Sequence, residues 1–464
     1  CLVVGAGNAL WFLFFWEIMS LVSYFLVVFD SKHEKSIQAG MIYIVMTHLG
    51  TAFLIAAFLI MYRYAHSFDF AAIKSACSAM PAGIKNLIFL LLLAGFGTKA
   101  GIVPLHIWLP YAHPQAPSHI SSIMSGVMIK TALYGIIRFV MCILGVPSPW
   151  WGILILVLAV ITCLVGIVYA LMERDIKRLL AYSSVENVGV ILLSIGLAIF
   201  FQSMAMPKLA VFSLIAGLYH LINHAIFKGL LFLCAGSVYK ATGTRDIEKL
   251  GGLIRKMPQT AACFLIGALA ISAIPPFNGF VSEWLTLQAF FMGSASTVGG
   301  MKVFLALCAA MLAFTGGLAA ACFVKAFGVT FLALPRTRHS QNAAEVPLSM
   351  KIGMIFLSFC AVAFGLAATA VIKTLKYVAG SVTSIDTGTM KFAVNNFALS
   401  LQTGKGIYLS TPVITLVLIL VGAAAFAVYK FFGKPRVEPY TTWDCGYYKI
   451  SPRNEYTATA FSKP

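Results

Sequence analysis

Residues 208–238 read KLAVFSLIAGLYHLINHAIFKGLLFLCAGSV. The run exceeds the roughly 20 apolar residues that a membrane-spanning helix requires. Inside it His220, His224 and Lys228 recur every four residues. On a helix they share one face and span roughly 12 Å of rise. Ionisable groups at that depth are costly, and they persist mostly where they face a protein interior, a wet cavity or an ion path. Histidine relays protons well because it titrates near neutral pH and has two ring nitrogens. A metal site on the histidine pair is the rival reading. It would need further ligands, and Lys228 is a poor one.

The rest of the chain repeats this pattern. Hydrophobic residues make up 60% of the 464 and charged residues only 10%, against about 25% charged in a soluble domain. Apolar segments long enough to span lie near 8–29, 36–63, 85–109, 118–144, 149–172, 176–202, 208–238, 259–295, 300–333, 349–376 and 409–433. They are continuous runs and lack the alternation of a transmembrane β-barrel. The fold class is therefore an all-α polytopic membrane protein, with the lipid bilayer as its solvent. The net charge of +18 reads as orientation in the membrane and not as a nucleic-acid interface. Lys32, Arg174, Lys177, Arg245, Lys256 and Arg336 fall on one side, with the tail lysines Lys430 and Lys434. By the positive-inside rule those basic loops and the C-terminal tail are cytoplasmic.

The ten cysteines stand singly, mostly within spans. Without a CxxC or a ligand cluster, neither an iron–sulfur nor a zinc site is expected, and no metal. Nothing resembles a glycine-rich phosphate loop beside a strand. The chain thus carries no redox or nucleotide chemistry of its own. It opens on Cys1 within an apolar run, which reads as the interior of a longer chain.

Two segments read as broken helices. In the first, Pro104 removes a backbone hydrogen bond and Gly95, Gly97 and Gly101 loosen the turns before it. In the second, Pro275, Pro276 and Gly279 interrupt an otherwise overlong helix. Unwound backbone at membrane depth is tolerated only where protein buries it or it lines a cavity. Interrupted helices in two halves point to repeats and to an ion site. We expect two inverted five-helix repeats, each with one broken helix. Residues 1–335 would form the translocating domain, and 336–464 an appendage of extra helices and a cytoplasmic tail.

Other ionisable residues stand in similar surroundings. Glu17 lies mid-span and needs a partner or it becomes neutral; its bland reading is a locally hydrogen-bonded structural residue. Lys99 precedes the first break, far from either interface for a snorkelling lysine. Shifting a carboxylate beside it would load or unload its proton. Lys130 is a natural next station. Glu283 follows the second break, where it either exchanges protons with one side or caps a half-helix. Glu186 is the most ambiguous. For His48, His106, His113 and His119, near loops or breaks, the bland reading is the better one.

The segments WEIMSLVSYFLVV, GTKAGIVPLHIWLPYAHPQAPSHISS, ERDIKRLLAYSSVENVG, HLINHAIFKGLLFLCAGSV and PPFNGFVSEW together resemble the antiporter-like membrane subunits of respiratory complex I, cation/proton antiporters and membrane-bound hydrogenases. The tail TTWDCGYYKISPRNEYTATAFSKP resembles the hydrogenase 4/formate hydrogenlyase branch. The resemblance implies a fold of fourteen core helices containing the two repeats, with the first helices absent here. It pairs Glu17 with Lys99, makes Lys130 the connecting lysine, and makes His220, His224 and Lys228 the central row. Glu283 becomes the terminal ionisable residue. Glu186 departs from most complex I relatives. The implied function is proton translocation in the inner (cytoplasmic) membrane, driven by partner redox chemistry. The partners would be other membrane subunits and a peripheral [NiFe]-hydrogenase/Fe–S module carrying the NiFe and Fe–S centres, so that the chain is a subunit of an oxidoreductase complex. The alternatives are a Na⁺/H⁺ antiporter subunit, an NADH-quinone oxidoreductase subunit, and a non-pumping anchor.

Overall fold

The computed structural model describes residues 1–387, 392–395, 398–401, 410–433, 446 and 454–462. Helices dominate. In chain order they are α1 (Leu2–Gly5), α2 (Ala9–Val27), α3 (Glu34–Ala65), α4 (Phe70–Ala76), α5 (Ala82–Ala100), α6 (Trp108–Gln115), α7 (Ser118–Ile123), α8 (Ile129–Gly135), α9 (Pro149–Met172), α10 (Ile176–Ser203) and α11 (Pro207–Thr242). They continue as α12 (Pro258–Ile271), α13 (Asn278–Ser296), α14 (Gly299–Phe331), α15 (Arg338–Gln341), α16 (Leu348–Leu366), α17 (Ala368–Thr383), α18 (Thr411–Phe432) and α19 (Ala458–Ser462). Among the described residues, ten helical segments are long and apolar enough to cross a membrane. The chain is a multi-pass membrane protein.

The centre of the molecule is α10, packed between α9 and α11. Small residues allow that closeness. A Cβ on Gly166 of α9 would lie 2.4 Å from the backbone nitrogen of Glu186, and one on Gly189 of α10 would lie 2.6 Å from Cys163 Sγ. Without a hydrophobic drive between helices in lipid, such backbone approach supplies the dispersion that holds them together. The polar side chains of α10 therefore have protein, and not lipid, on every side.

Both interrupted helices occur. α5 closes on Gly101, whose φ of +83° favours glycine. Its N–H and that of Ile102 both return to Gly97 O at 2.9 Å, ending the helix before Pro104. The helix resumes at Trp108, whose Nε1 donates to Thr98 O at 2.7 Å and ties the two pieces across the gap. The second gap runs from Ser272 to Phe277 and contains Pro275 and Pro276. Gly279 is a correction to the sequence reading, because it lies inside the first turn of α13 and not in the unwound stretch. Its role is proximity: a Cβ there would lie 1.9 Å from Ala270 O. From the other side, a Cβ on Gly365 of α16 would meet Pro276 O at 2.1 Å.

The segment read as one helix near 349–376 is two, α16 and α17, separated at Ala367. Two short strands, β1 (Phe392–Asn395) and β2 (Ala398–Leu401), pair antiparallel with Phe392 opposite Leu401. They add a small hairpin to the helical fold. The C-terminal segment docks back on the basic loops, where Glu455 accepts from Leu334 N–H at 3.1 Å and Glu248 accepts from Thr459 N–H at 2.5 Å.

Candidate functional site

Lys99 lies at the end of α5 and is 1% exposed. Its Nζ donates to Ser20 Oγ and to Tyr43 OH, both at 2.8 Å. The ring of Tyr43 also lies 5.0 Å from the ammonium. The expected partner, Glu17, is elsewhere, and among the described residues Lys99 forms no ion pair with it. The buried face of α2 carries Phe12, Trp16, Ser20, Ser23 and Val27. Glu17 follows Trp16 and is rotated about 100° away from that face. Its Oε2 approaches His48 Nε2 of α3 at 3.4 Å, with the two side chains 34% and 55% exposed. Lys99 thus rests in a hydroxyl cradle and Glu17 meets His48 through Oε2, while the buried Oε1 of Glu17 leaves the carboxylate acting on Lys99 through its charge without an ion pair.

Lys130 on α8 is buried, and its Nζ donates to Ser125 O and lies 2.8 Å from His224 Nδ1. Ser125 belongs to a π-helical turn, Met124–Met128, a distortion common at functional sites. Its Oγ lies 2.8 Å from Ser184 Oγ on α10. Lys228 donates to the neighbouring Ser183 Oγ at 2.5 Å and to Leu180 O at 3.0 Å. The two lysines thus reach α10 at adjacent residues.

Ser183 also links onward, because its carbonyl accepts from Asn187 Nδ2 at 2.9 Å. The same amide donates to the buried Glu186 carboxylate. Asn187 Oδ1 lies 3.2 Å from His220 Nε2, and His220 Nδ1 lies 2.9 Å from Ser282 Oγ. Asn223 Nδ2 donates to Ser282 Oγ at 3.0 Å and to Asn278 O, beside the second gap, at 2.8 Å. Glu283, the next residue of α13, is half-buried, and its Oε2 faces Gly316 of α14.

His220, His224 and Lys228 therefore do not hand protons to one another directly. Each turns to a different partner: Asn187 and Ser282, Lys130, and Ser183. The continuity runs through α10, and Glu186 is part of it. Between the Lys99 and Lys130 clusters stands Met128, whose Sδ receives Ser23 Oγ at 3.2 Å and Tyr43 OH at 3.7 Å. No group of three His, Cys, Asp or Glu side chains suited to a metal occurs among the described residues.

The linking residues Ser20, Tyr43, Ser125, Ser183, Ser184, Asn187, Asn223 and Ser282 escaped the reading by charge, and His48, given the bland reading, turns out to meet Glu17. The signal for most of them was the clustering of small polar residues in apolar helices. SSVEN and YHLIN carry several of them beside the charged residues already singled out.

Residues 6–312 match the family described as NADH:quinone oxidoreductase/Mrp antiporter, TM. Hydrogenase-4 component B of Escherichia coli (strain K12) is 43% identical over 447 residues, covering 95% of this chain and 65% of that protein. Formate hydrogenlyase subunit 3 of the same strain is 42% identical over 370 residues, covering 79% and 59%. The chain spans less than two thirds of the length of either relative. A solved archaeal respiratory membrane complex, the membrane-bound sulfane sulfur reductase, contains a chain that matches with a TM-score of 0.77 at 27% identity. The match covers 95% of this chain and 68% of that one.

Proposed function

The chain belongs to the NADH:quinone oxidoreductase/Mrp antiporter membrane family, and from that premise we propose that it is the proton-translocating subunit of an energy-converting, hydrogenase 4/formate hydrogenlyase-type complex. The observation that carries the reading is the buried cluster of ionisable and polar groups gathered on α10. Lys130 and His224 reach it at Ser125 and Ser184, Lys228 at Ser183, and Glu186, Asn187, His220 and Ser282 continue it, each set meeting the next at a shared or adjacent residue. Buried ammonium and carboxylate groups in fixed hydrogen bonds exchange protons when a neighbouring charge changes, because Coulomb terms are strong in a low-dielectric interior.

Redox chemistry in partner subunits would perturb charge at the outward Glu17–His48 pair and at Lys99. The shift reaches Lys130 past Met128, then follows α10 toward Glu283 near the second gap. Residues 1–335 act as the translocating unit. Partners would be further membrane subunits and a peripheral [NiFe]-hydrogenase/Fe–S module holding the metal centres. The cytoplasmic membrane, with the basic loops inside, is the expected setting.

The test is proton translocation per electron in sealed vesicles holding the whole complex. Lys228→Ala should abolish translocation while partner redox activity partly survives. Wild-type translocation by that variant would overturn the reading.

A further inference from the structure

His113 lies near the end of α6, 0% exposed. Its ring stacks on Phe232 of α11, with centroids 5.0 Å apart and planes at 18°, and lies 6.5 Å from Trp108 on the same helix. Both ring nitrogens are buried with no hydrogen-bond partner among the described residues. A phenyl ring would fill that stack without the cost, about 1–3 kcal/mol, of an unsatisfied buried polar group. Packing alone therefore does not account for an imidazole here.

Its position along α11 is the second observation. Phe232 is one turn beyond Lys228 toward the basic-loop end of the helix, about 6 Å of rise. Tyr239, about 10 Å further on, lines a cavity of 650 Å³ together with Asp30, Glu34, Lys177, Arg245 and the backbone at Pro114–Ala116. The residues just after His113 thus form part of that cavity's wall. Lys177, 2% exposed, donates to Ala116 O at 2.5 Å, and Arg245 donates to Pro114 O. These two cations satisfy the carbonyls at the end of α6 and hold the wall in place. Ser121 Oγ donates to His113 O at 2.8 Å and fixes the backbone from α7. The charged groups acting on the ring are Lys177 on the cavity side, and Lys228 and Lys130 on the inner side.

We propose that His113 is the proton relay between this cavity and Lys228, the point at which protons from the basic-loop side join the α10 chain. One ring nitrogen takes a proton from cavity water while the other gives its own to water beside Lys228. The ring then turns so that its N–H again faces Lys228 and its bare nitrogen faces the cavity; the ring is left neutral, with one proton taken up and one released. The proposal rests on the translocation reading above and assigns its inlet.

The test uses the whole complex in sealed vesicles, with His113→Phe, His113→Gln and Lys228→Ala compared. His113→Phe keeps the stack, so assembly and thermal stability should equal or exceed wild type. Protons moved per electron should fall at least tenfold, with partner redox activity retained. A packing role would give the opposite pattern, lower stability with translocation intact, and would overturn the proposal. Should His113→Phe not assemble, His113→Gln decides: glutamine can hydrogen-bond but cannot relay by tautomer exchange, so translocation within twofold of wild type removes the relay. A wild-type complex that moves no protons defeats the underlying reading. Translocation lost in Lys228→Ala but unchanged in both His113 variants defeats the inlet alone.

Discussion

Helices α10 and α18 are both long and apolar enough to qualify as membrane spans. Their surroundings are opposite. α10 is buried along nearly its whole length, whereas Thr411 alone is buried in α18. The difference is written in their minor residues. α10 carries Ser183, Ser184, Glu186, Asn187 and Ser194 with Gly189 and Gly196, while α18 is mostly Val, Leu, Ile and Ala. Apolar content states that a helix enters the membrane. Small and polar residues state whether it meets protein or lipid there.

The sharpest way to break this contrast is at the glycines. Gly166→Val would drive a side chain into the backbone of Glu186, where a Cβ already falls 2.4 Å from the nitrogen. We expect a loss of about 3 kcal/mol or more and failure to assemble. Gly422→Ala in α18, with nothing within 4 Å of a Cβ, should leave thermal unfolding in detergent unchanged. Equal tolerance at the two sites would show that α10 is not tightly enclosed.

Next is the chemistry that the enclosed helix organises. Lys228→Met, which removes the ammonium bonded to Ser183, should lower proton translocation about 100-fold, the scale of a lost proton-transfer group. Vesicle acidification driven by the partner reaction reports it directly. Asn187→Leu should cost less, about tenfold, since it cuts the link between Glu186 and His220 but removes no proton carrier. A full rate in that variant would mean that Glu186 is reached by another path.

The smallest effect belongs to the outward helix. Leu416→Ala with Leu420→Ala in α18 should shift stability of the isolated chain by no more than about 0.5 kcal/mol. A larger shift that appears only in the whole complex would reveal that a partner covers this face.

The helical membrane fold was readable from the apolar runs, and the two gaps from Pro104, Pro275 and Pro276. Apolar content does not report a turn with no proline or charge in it, so the separation of α16 from α17 at Ala367 was not readable. That turn follows Gly365, whose missing side chain lets α16 lie against Pro276 O. Of the candidate site, Lys130, His224, Lys228, Glu186 and His220 stand out as charges in lipid-like sequence, and the structure gathers them around α10. The rotation of a single residue from Trp16 to Glu17 decides which side of α2 faces Lys99, and one chain carries no record of its neighbours' azimuth. Hydroxyl and amide links were hidden for a different reason: Ser and Asn in helices mostly serve their own backbone, as Ser20 also does toward Trp16 O.

On the proposed function, Met128 bears on energy conservation. A thioether accepts hydrogen bonds weakly and donates none, and Ser23 Oγ also reaches Met19 O at 2.7 Å, so neither hydroxyl beside the sulfur can pass a proton on through it. Between the Lys99 and Lys130 clusters the molecule has built an insulator, flexible enough to move aside. A conductor interrupted in this way holds its voltage at rest and discharges only when its parts are brought together. The efficiency of the whole device then depends as much on that poor contact as on the good ones.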